Sequence, residues 1–325
     1  MKVALLGLGN VSLALLQHLS SSSSLSEKYQ LVGAADSTGT VVYPGIAPSE
    51  LFLAKKEKRL SGLKGYSPRR GIIEMIVESR AEMVIDSLPS NYPDGEPTLS
   101  LLRFCLSKGI HAVVASKAAL AQKMGELRRI AMENGAALRY SAAVGGGLPF
   151  LEVGFTCMSS GVEKVLAIRG LLNGTSNYIM GCIAKGVGFE EALKEARETG
   201  IAEADADSDL KGRDASAKIV IVANAVAGCD ITLNDVRNEC DVEAARRLAE
   251  RGFNVKQICR YSNGEASVSY EVLREDDPLN VSGTDNALLY SFQIAGDVLL
   301  RGRGAGGRET ALAVLRDMNH IAATL

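Results

Sequence analysis

The chain has 325 residues, 46% of them hydrophobic and 23% charged, with 36 Lys and Arg against 38 Asp and Glu for a formal net charge of −2. That length supports one large domain or two with cores of their own, and a charge so near zero offers neither a basic stripe for a nucleic-acid backbone nor a charged tail. No apolar run approaches the roughly 20 residues that span a bilayer, so neither membrane nor nucleic acid is expected as a partner.

The N-terminal run MKVALLGLGNVSLALL has the Lys and apolar stretch of a secretory signal, but two glycines and Asn10 interrupt it and no clear small-x-small cleavage site follows. It reads better as a strand at 2–6, a glycine turn, and a helix at 11–19 with apolar residues at helical spacing. The polar run at 20–24 breaks that helix, and a second apolar strand at 30–35 ends in Asp36, completing a β-α-β unit. Strands are expected at 83–87 and 110–115, separated by a Pro-, Asn- and Gly-rich loop and a helix at 98–108. Alternating strands and helices with short connections predict a doubly wound, Rossmann-type α/β sheet. The pattern changes after about residue 137, before the glycine cluster VGGGLP at 144–149, which suits a domain boundary. Beyond it come a strand at 164–170, helices at 177–185, 190–199 and 212–226, sheet at 266–273 and 289–298, and a terminal helix at 310–325. The expected division is a dinucleotide-binding domain over 1–137, joined by the C-terminal helix from about 304, and an α+β domain over 138–303.

Five stretches could carry chemistry. GLGNVS at 7–12 sits between a strand and a helix: Gly7 permits the tight turn, Gly9 lets the backbone approach a pyrophosphate, and the helix N-terminus offers N–H groups to phosphate. Ser12 stands where the usual fingerprint has its third glycine. Asp36 could accept from a ribose 2′-hydroxyl, while Lys55, Lys56 and Lys58 could fold toward a 2′-phosphate, so NAD and NADP both stay open. GIAEADADSDLKGRDASAK at 200–218 crowds Glu203, Asp205, Asp207, Asp209 and Asp214 together, which calls for a positive partner. Asp214 and Lys218 are four apart on a predicted helix and share a face. They form either a solvated pair or a partly buried Lys218, oriented by Asp214, that exchanges protons with a substrate whose ammonium the other carboxylates hold. Lys117 follows the fourth strand at the carboxyl edge, where open α/β sheets bind ligands. NGTSNY at 173–178 is either a helix cap or a polar cradle for a small carboxylate. VGGGLP is either a hinge or a set of carbonyls for a monovalent cation.

The six cysteines include no CxxC pair and the three histidines lie far apart, so neither a disulfide framework nor a structural zinc site is indicated, which fits a reducing, cytoplasmic setting. Taken in order, GLGNVS, NYPDGEP, HAVVASKAAL, SAAVGGGLP, LLNGTSNYIM, AEADADSDLKGRDASAK, DDPLNV and GRGAGG resemble the motifs of homoserine dehydrogenase, over nearly the whole chain. The resemblance implies NAD(P)-dependent hydride exchange at the C4 carbon of homoserine, interconverting it with aspartate 4-semialdehyde in threonine and methionine biosynthesis. It implies Lys218 as the acid–base lysine, Lys117 assisting at the same oxygen near the cofactor, and Asp214 orienting Lys218. Glu203, Asp209, Asp214, Gly174 and Ser176 would hold the substrate. Gly7, Leu8, Gly9, Asn10, Val11, Asp36, Ser87, Lys117, Gly200 and Gly304 would line the cofactor. Val144, Gly146 and Leu148 would offer carbonyls to sodium or potassium.

Four residues depart from the family pattern. Ser141 replaces the usual Glu cation ligand, Ile201 a common Tyr, Ser176 a Thr, and Ser12 the third glycine. The chain ends at Leu325 without the regulatory module some members carry, so feedback through one is not expected. Hydride transfer implies a closable interdomain cleft, and the second domain's exposed sheet implies a homodimer. The alternatives are a dehydrogenase of another small amino acid, or a nucleotide-binding paralogue without turnover.

Overall fold

A computed structural model describes residues 1–202 and 206–324. The chain forms two compact units, residues 1–147 with 306–325, and residues 148–305.

The first unit runs β1 (Lys2–Leu6), α1 (Asn10–Ser20), α2 (Ser23–Lys28), β2 (Gln30–Asp36), β3 (Gly39–Val42), α3 (Pro48–Lys56), β4 (Tyr66–Ser67), α4 (Ile72–Ser79), β5 (Met83–Asp86), α5 (Thr98–Ser107), β6 (His111–Val114), α6 (Ala118–Glu133) and β7 (Leu138–Arg139). Its sheet has the order β4-β3-β2-β1-β5-β6-β7. The five strands from β2 to β7 are parallel, and β3 and β4 add an antiparallel edge that the sequence reading did not foresee. After β1 the chain pairs to one side with β2, then crosses to the other with β5. The strand order therefore reverses beside β1, and the crevice at such a reversal is where doubly wound sheets bind ligands. α1 buries Leu15, Leu16 and Leu19 in a core that also takes Val314, Met318 and Ile321 from the terminal helix. The polar run at 20–24 does break α1, but α2 restarts at once because the Ser22 hydroxyl accepts the Leu25 N–H and caps it.

The second unit contains α7 (Phe150–Met158), β8 (Val165–Leu171), α8 (Gly174–Ile183), α9 (Phe189–Glu198), α10 (Asp207–Leu210), α11 (Arg213–Val222), β9 (Val236–Glu239), α12 (Val242–Glu250), β10 (Val255–Ser262), β11 (Glu265–Val272), β12 (Asp285–Phe292) and β13 (Gly296–Arg303). Its sheet has the order β13-β12-β8-β10-β11-β9 and is antiparallel except where β11 meets β9. α13 (Gly307–Thr324) returns to the first unit.

Three expectations differ from what is seen. Residues 138–147, assigned by sequence to the second domain, pack with the first unit: Ser141 donates from its backbone N–H and its hydroxyl to the buried Asp317 of α13, at 2.8 and 2.9 Å. The sheet expected at 289–298 is a hairpin, β12 and β13, whose strands extend beyond those bounds on both sides and which turns after Phe292 through Gly296 at φ +74°. The helix expected from 177 begins at Gly174, because Asn173 caps it.

Candidate active site

In the first unit, β1 delivers the glycine turn to the point where strand order reverses. Gly7 has φ +91°, and a Cβ there would lie 2.8 Å from the Ser87 carbonyl oxygen, so only glycine fits. Gly9 is the N-cap of α1, and a Cβ on it would meet nothing within 4 Å. Open space over an N-cap glycine at a helix start is what a phosphate needs to approach backbone N–H groups. Ser12 fills the third-glycine position without strain: it is buried and its Oγ lies 2.7 Å from Ser87 Oγ, which also lies within hydrogen-bonding distance of the Gly7 carbonyl. Leu8 is buried, and Asn10 and Val11 open α1.

Asp36 ends β2 with its carboxylate already engaged. Thr38 donates to Oδ1 from both its N–H and its hydroxyl at 2.7 Å, and Lys55 Nζ lies 2.5 Å from Oδ2. Burial pushes the Asp36 carboxyl up, but Lys55 and Thr38 outweigh it and hold the group below its ordinary value. Lys117 is the N-cap of α6, and its backbone N–H donates to Ser90 Oγ at 3.0 Å.

In the second unit, α8, α10 and α11 bring their polar residues to one place. Asp214 and Lys218 lie one turn apart on α11, both about nine-tenths buried, with Nζ 2.6 Å from Asp214 Oδ2. Nζ also donates to the Leu172 carbonyl at 2.7 Å, using two of the ammonium's three N–H groups among the described contacts. The pair is therefore buried, and the solvated alternative is excluded. Asn173 joins the cluster to α8: its Oδ1 accepts the Ser176 N–H at 2.8 Å, and its Nδ2 donates to Asp209 Oδ1 at 2.6 Å and Asp214 Oδ2 at 3.0 Å. NGTSNY is thus a helix cap and part of a polar cluster at once. A Cβ on Gly174 would meet the Thr284 carbonyl oxygen at 2.6 Å, so this helix start lies directly against the segment after DDPLNV. Asn177 extends that contact by donating to the Val281 and Asp285 carbonyls and accepting from the buried Lys256 at 2.6 Å. Burial, with the Lys185 charge adding to it, pushes Lys256 down to about 8.

The structure thus gathers Asp209, Asp214, Lys218, Gly174 and Ser176 in the second unit, and Gly7 to Val11, Asp36, Ser87 and Lys117 along one sheet edge of the first. Glu203 and Asp205 lie outside the described residues. Gly200, at φ +73°, and Gly304 belong to the second unit. A Cβ on Gly304 would fall 2.0 Å from the Asn286 side chain, whose buried amide nitrogen and oxygen have no hydrogen-bond partner among the described residues. Within the first unit, the open N-cap of α1 behind the Gly7 turn fits a dinucleotide-bearing protein. Asn286 is a polar residue that sequence reasoning missed, and Asn173 was read only as part of the NGTSNY cap or cradle. The signal for Asn173 was the N-cap spacing to Ser176; nothing local marks Asn286.

The glycine loop at 144–149 carries the Val144, Gly146 and Leu148 carbonyls that the resemblance offers to a monovalent cation. Ser141 offers no carboxylate, and both of its donors go to Asp317. In the same loop, the Gly147 carbonyl accepts from the Arg316 guanidinium at 2.8 Å, so a protein cation already serves it. Val144 and Gly146 lie in the first unit and Leu148 opens the second.

A family model described as homoserine dehydrogenase matches residues 149–318, more than half of the chain. The chain is 36% identical over 306 residues to the homoserine dehydrogenase of Methanocaldococcus jannaschii, covering 91% of this chain and 89% of that one. It is 31% identical to an NAD(+)-dependent homoserine dehydrogenase of Pseudomonas canavaninivorans, covering 98% and 97%. Among solved structures, a hyperthermophilic archaeal homoserine dehydrogenase mutant in complex with NADPH superposes with a TM-score of 0.84 at 25% identity, covering 100% of this chain and 98% of that one.

Proposed function

The chain belongs to the homoserine dehydrogenase family, and from that premise we propose that Lys218 is the acid–base group and that the Asn173–Asp209–Asp214 cluster binds the amino-acid substrate. As a member it is an NAD(P)-dependent oxidoreductase interconverting L-homoserine and L-aspartate 4-semialdehyde. The observation that carries the residue assignment is the buried Lys218–Asp214 pair, whose ammonium makes two contacts among the described residues and has a third N–H to offer a substrate oxygen.

The nicotinamide, when bound, supplies or accepts the hydride. Gly7, Gly9 and the first turn of α1 would hold its pyrophosphate, with Ser87 beneath the turn. In the reductive direction Lys218 donates a proton to the alkoxide forming at C4, and in the oxidative direction it removes the hydroxyl proton. Asp214 fixes the Nζ and stabilises its charge. Asp209, with Glu203, holds the substrate ammonium, and Gly174 and Ser176 contribute at the N-terminus of α8. By the family resemblance, Lys117 would assist at the same oxygen, and Gly200 and Gly304 would line the cofactor.

At β2, the closed Asp36–Lys55 pair supports use of both cofactors: Asp36 accepts from a ribose 2′-hydroxyl, and Lys55 answers a 2′-phosphate. We read the chain as a homodimer, because β13 is an edge strand of eight residues and Leu166, Val272 and Leu299 are exposed on this sheet.

The test follows nicotinamide absorbance with purified protein and L-homoserine, with NAD+ and NADP+ in parallel, with and without sodium or potassium. Turnover with both cofactors is expected, and its response to the added ion reads whether the glycine loop takes one. Activity confined to another small amino acid would move the reading to a related dehydrogenase.

A further inference from the structure

Asp86 ends β5 at the same carboxyl edge as Gly7 and Lys117, and it is fully buried. A buried carboxylate is costly unless donors answer it, and here the donors come from two loops. The Leu88 N–H, just after β5, donates to Oδ1 at 3.2 Å, and the Ser116 hydroxyl, just after β6, donates to Oδ2. A second link joins the same two loops, from the Lys117 N–H to Ser90 Oγ at 3.0 Å. One carboxylate therefore ties the segment carrying Ser87 to the segment carrying Lys117.

We propose that Asp86 is a positioning residue for Lys117: its buried carboxylate fixes the Ser116 turn that bears Lys117 and places a negative charge beside the lysine. The inference rests on the homoserine dehydrogenase reading of Lys117. Burial pushes the Asp86 carboxyl up to about 6, an effect that Ser116, the Leu88 N–H and the Lys117 charge offset only in part. The other titratable neighbour is Cys105 of α5, which burial pushes up to about 12 with the Asp86 charge adding to it. A charge retained at such cost on a ligand-binding edge points to a role beyond folding.

The test is Asp86→Asn, which keeps the shape and an acceptor for Leu88 but loses the charge. With L-homoserine, kcat is expected to fall about tenfold or more, the worth of one charge-assisted hydrogen bond. The Kd for NADPH, read by its fluorescence without substrate, should change by less than about threefold. The melting temperature near neutral pH should not drop. Ser116→Ala should move kcat in the same direction, and Ser116→Thr, which keeps the hydroxyl, should restore it. Acylation of Lys117 by dilute acetic anhydride, followed by peptide mass spectrometry, reads the same link without turnover. Its rate should change in Asp86→Asn, because the turn that bears Lys117 loses its tie to the Asp86 carboxylate. An unchanged kcat in an active enzyme, or unchanged Lys117 acylation, overturns the proposal. So does a melting temperature that falls along with kcat, which would make Asp86 a structural prop. A wild type without homoserine turnover whose Lys117 acylation still responds to Asp86→Asn would overturn the functional reading and leave the positioning role standing.

Discussion

At the scale of single residues, the chemistry rests on carboxylates that are each answered by a specific donor. Asp214 is answered by Lys218 and Asn173, Asp36 by Lys55 and Thr38, and Asp86 by Ser116 and Leu88. Asp86 differs from Asp36 in sign. Its carboxyl in the folded chain lies above the ordinary value, near 6, so the folded state favours the proton and stability falls as pH rises through the window from about 4 to 6. The shift corresponds to about 3 kcal/mol at neutral pH. Thermal melts should therefore show Asp86→Asn gaining on the wild type as pH rises through that window, and parallel pH profiles for the two proteins would contradict it. The pairing of Asp214 with Lys218 was legible in the sequence because four residues on a helix is a local relation. The links from Asn173 to Asp209 and Asp214 were not, because they join residues 36 and 41 positions apart and depend on how α8 packs against α10 and α11.

At the scale of elements, the turn between β1 and α1 does two separable jobs. Gly7 is required by the backbone, with φ +91° and the Ser87 carbonyl where a Cβ would sit, whereas Gly9 is required only by what must approach it. Gly7→Ala should accordingly lower the melting temperature and weaken NADPH binding together. Gly9→Ala should leave the melting temperature nearly unchanged yet raise the Kd for NADPH about tenfold, by masking the N–H groups of α1. Equal destabilisation by the two variants would show that the turn is structural only. The strands of the first unit were readable as short apolar runs because the sheet buries both of their faces. β10 escaped the sequence reading because Lys256 and Gln257 interrupt its apolar pattern. Both are nonetheless buried, since Asn177 and the Val281 carbonyl receive one, and the Asp209 and Leu210 carbonyls the other. The β12–β13 hairpin was legible as sheet but not its bounds, because Ile294 in its turn carries the apolar character of the strands on either side.

At the scale of the whole molecule, a mostly parallel sheet with a glycine turn at its carboxyl edge and a mostly antiparallel sheet that carries a lysine–carboxylate cluster are joined in one chain, with α13 returning to close the core of the first. The alternation of strands and helices made the first unit's class legible, and the glycine cluster marked the change of architecture. The place of division was less legible, because it depends on Asp317 of α13 holding Ser141 from 176 residues away. Light scattering should give about twice the 34.4 kDa of one chain, and a monomer at assay concentration would contradict the homodimer reading. The central claim is that Lys218 moves the proton, and steady-state kinetics of Lys218→Ala with L-homoserine tests it most directly. A kcat lower by about 10²- to 10⁴-fold with KM little changed is the predicted result, and an unchanged kcat would remove Lys218 from the chemistry.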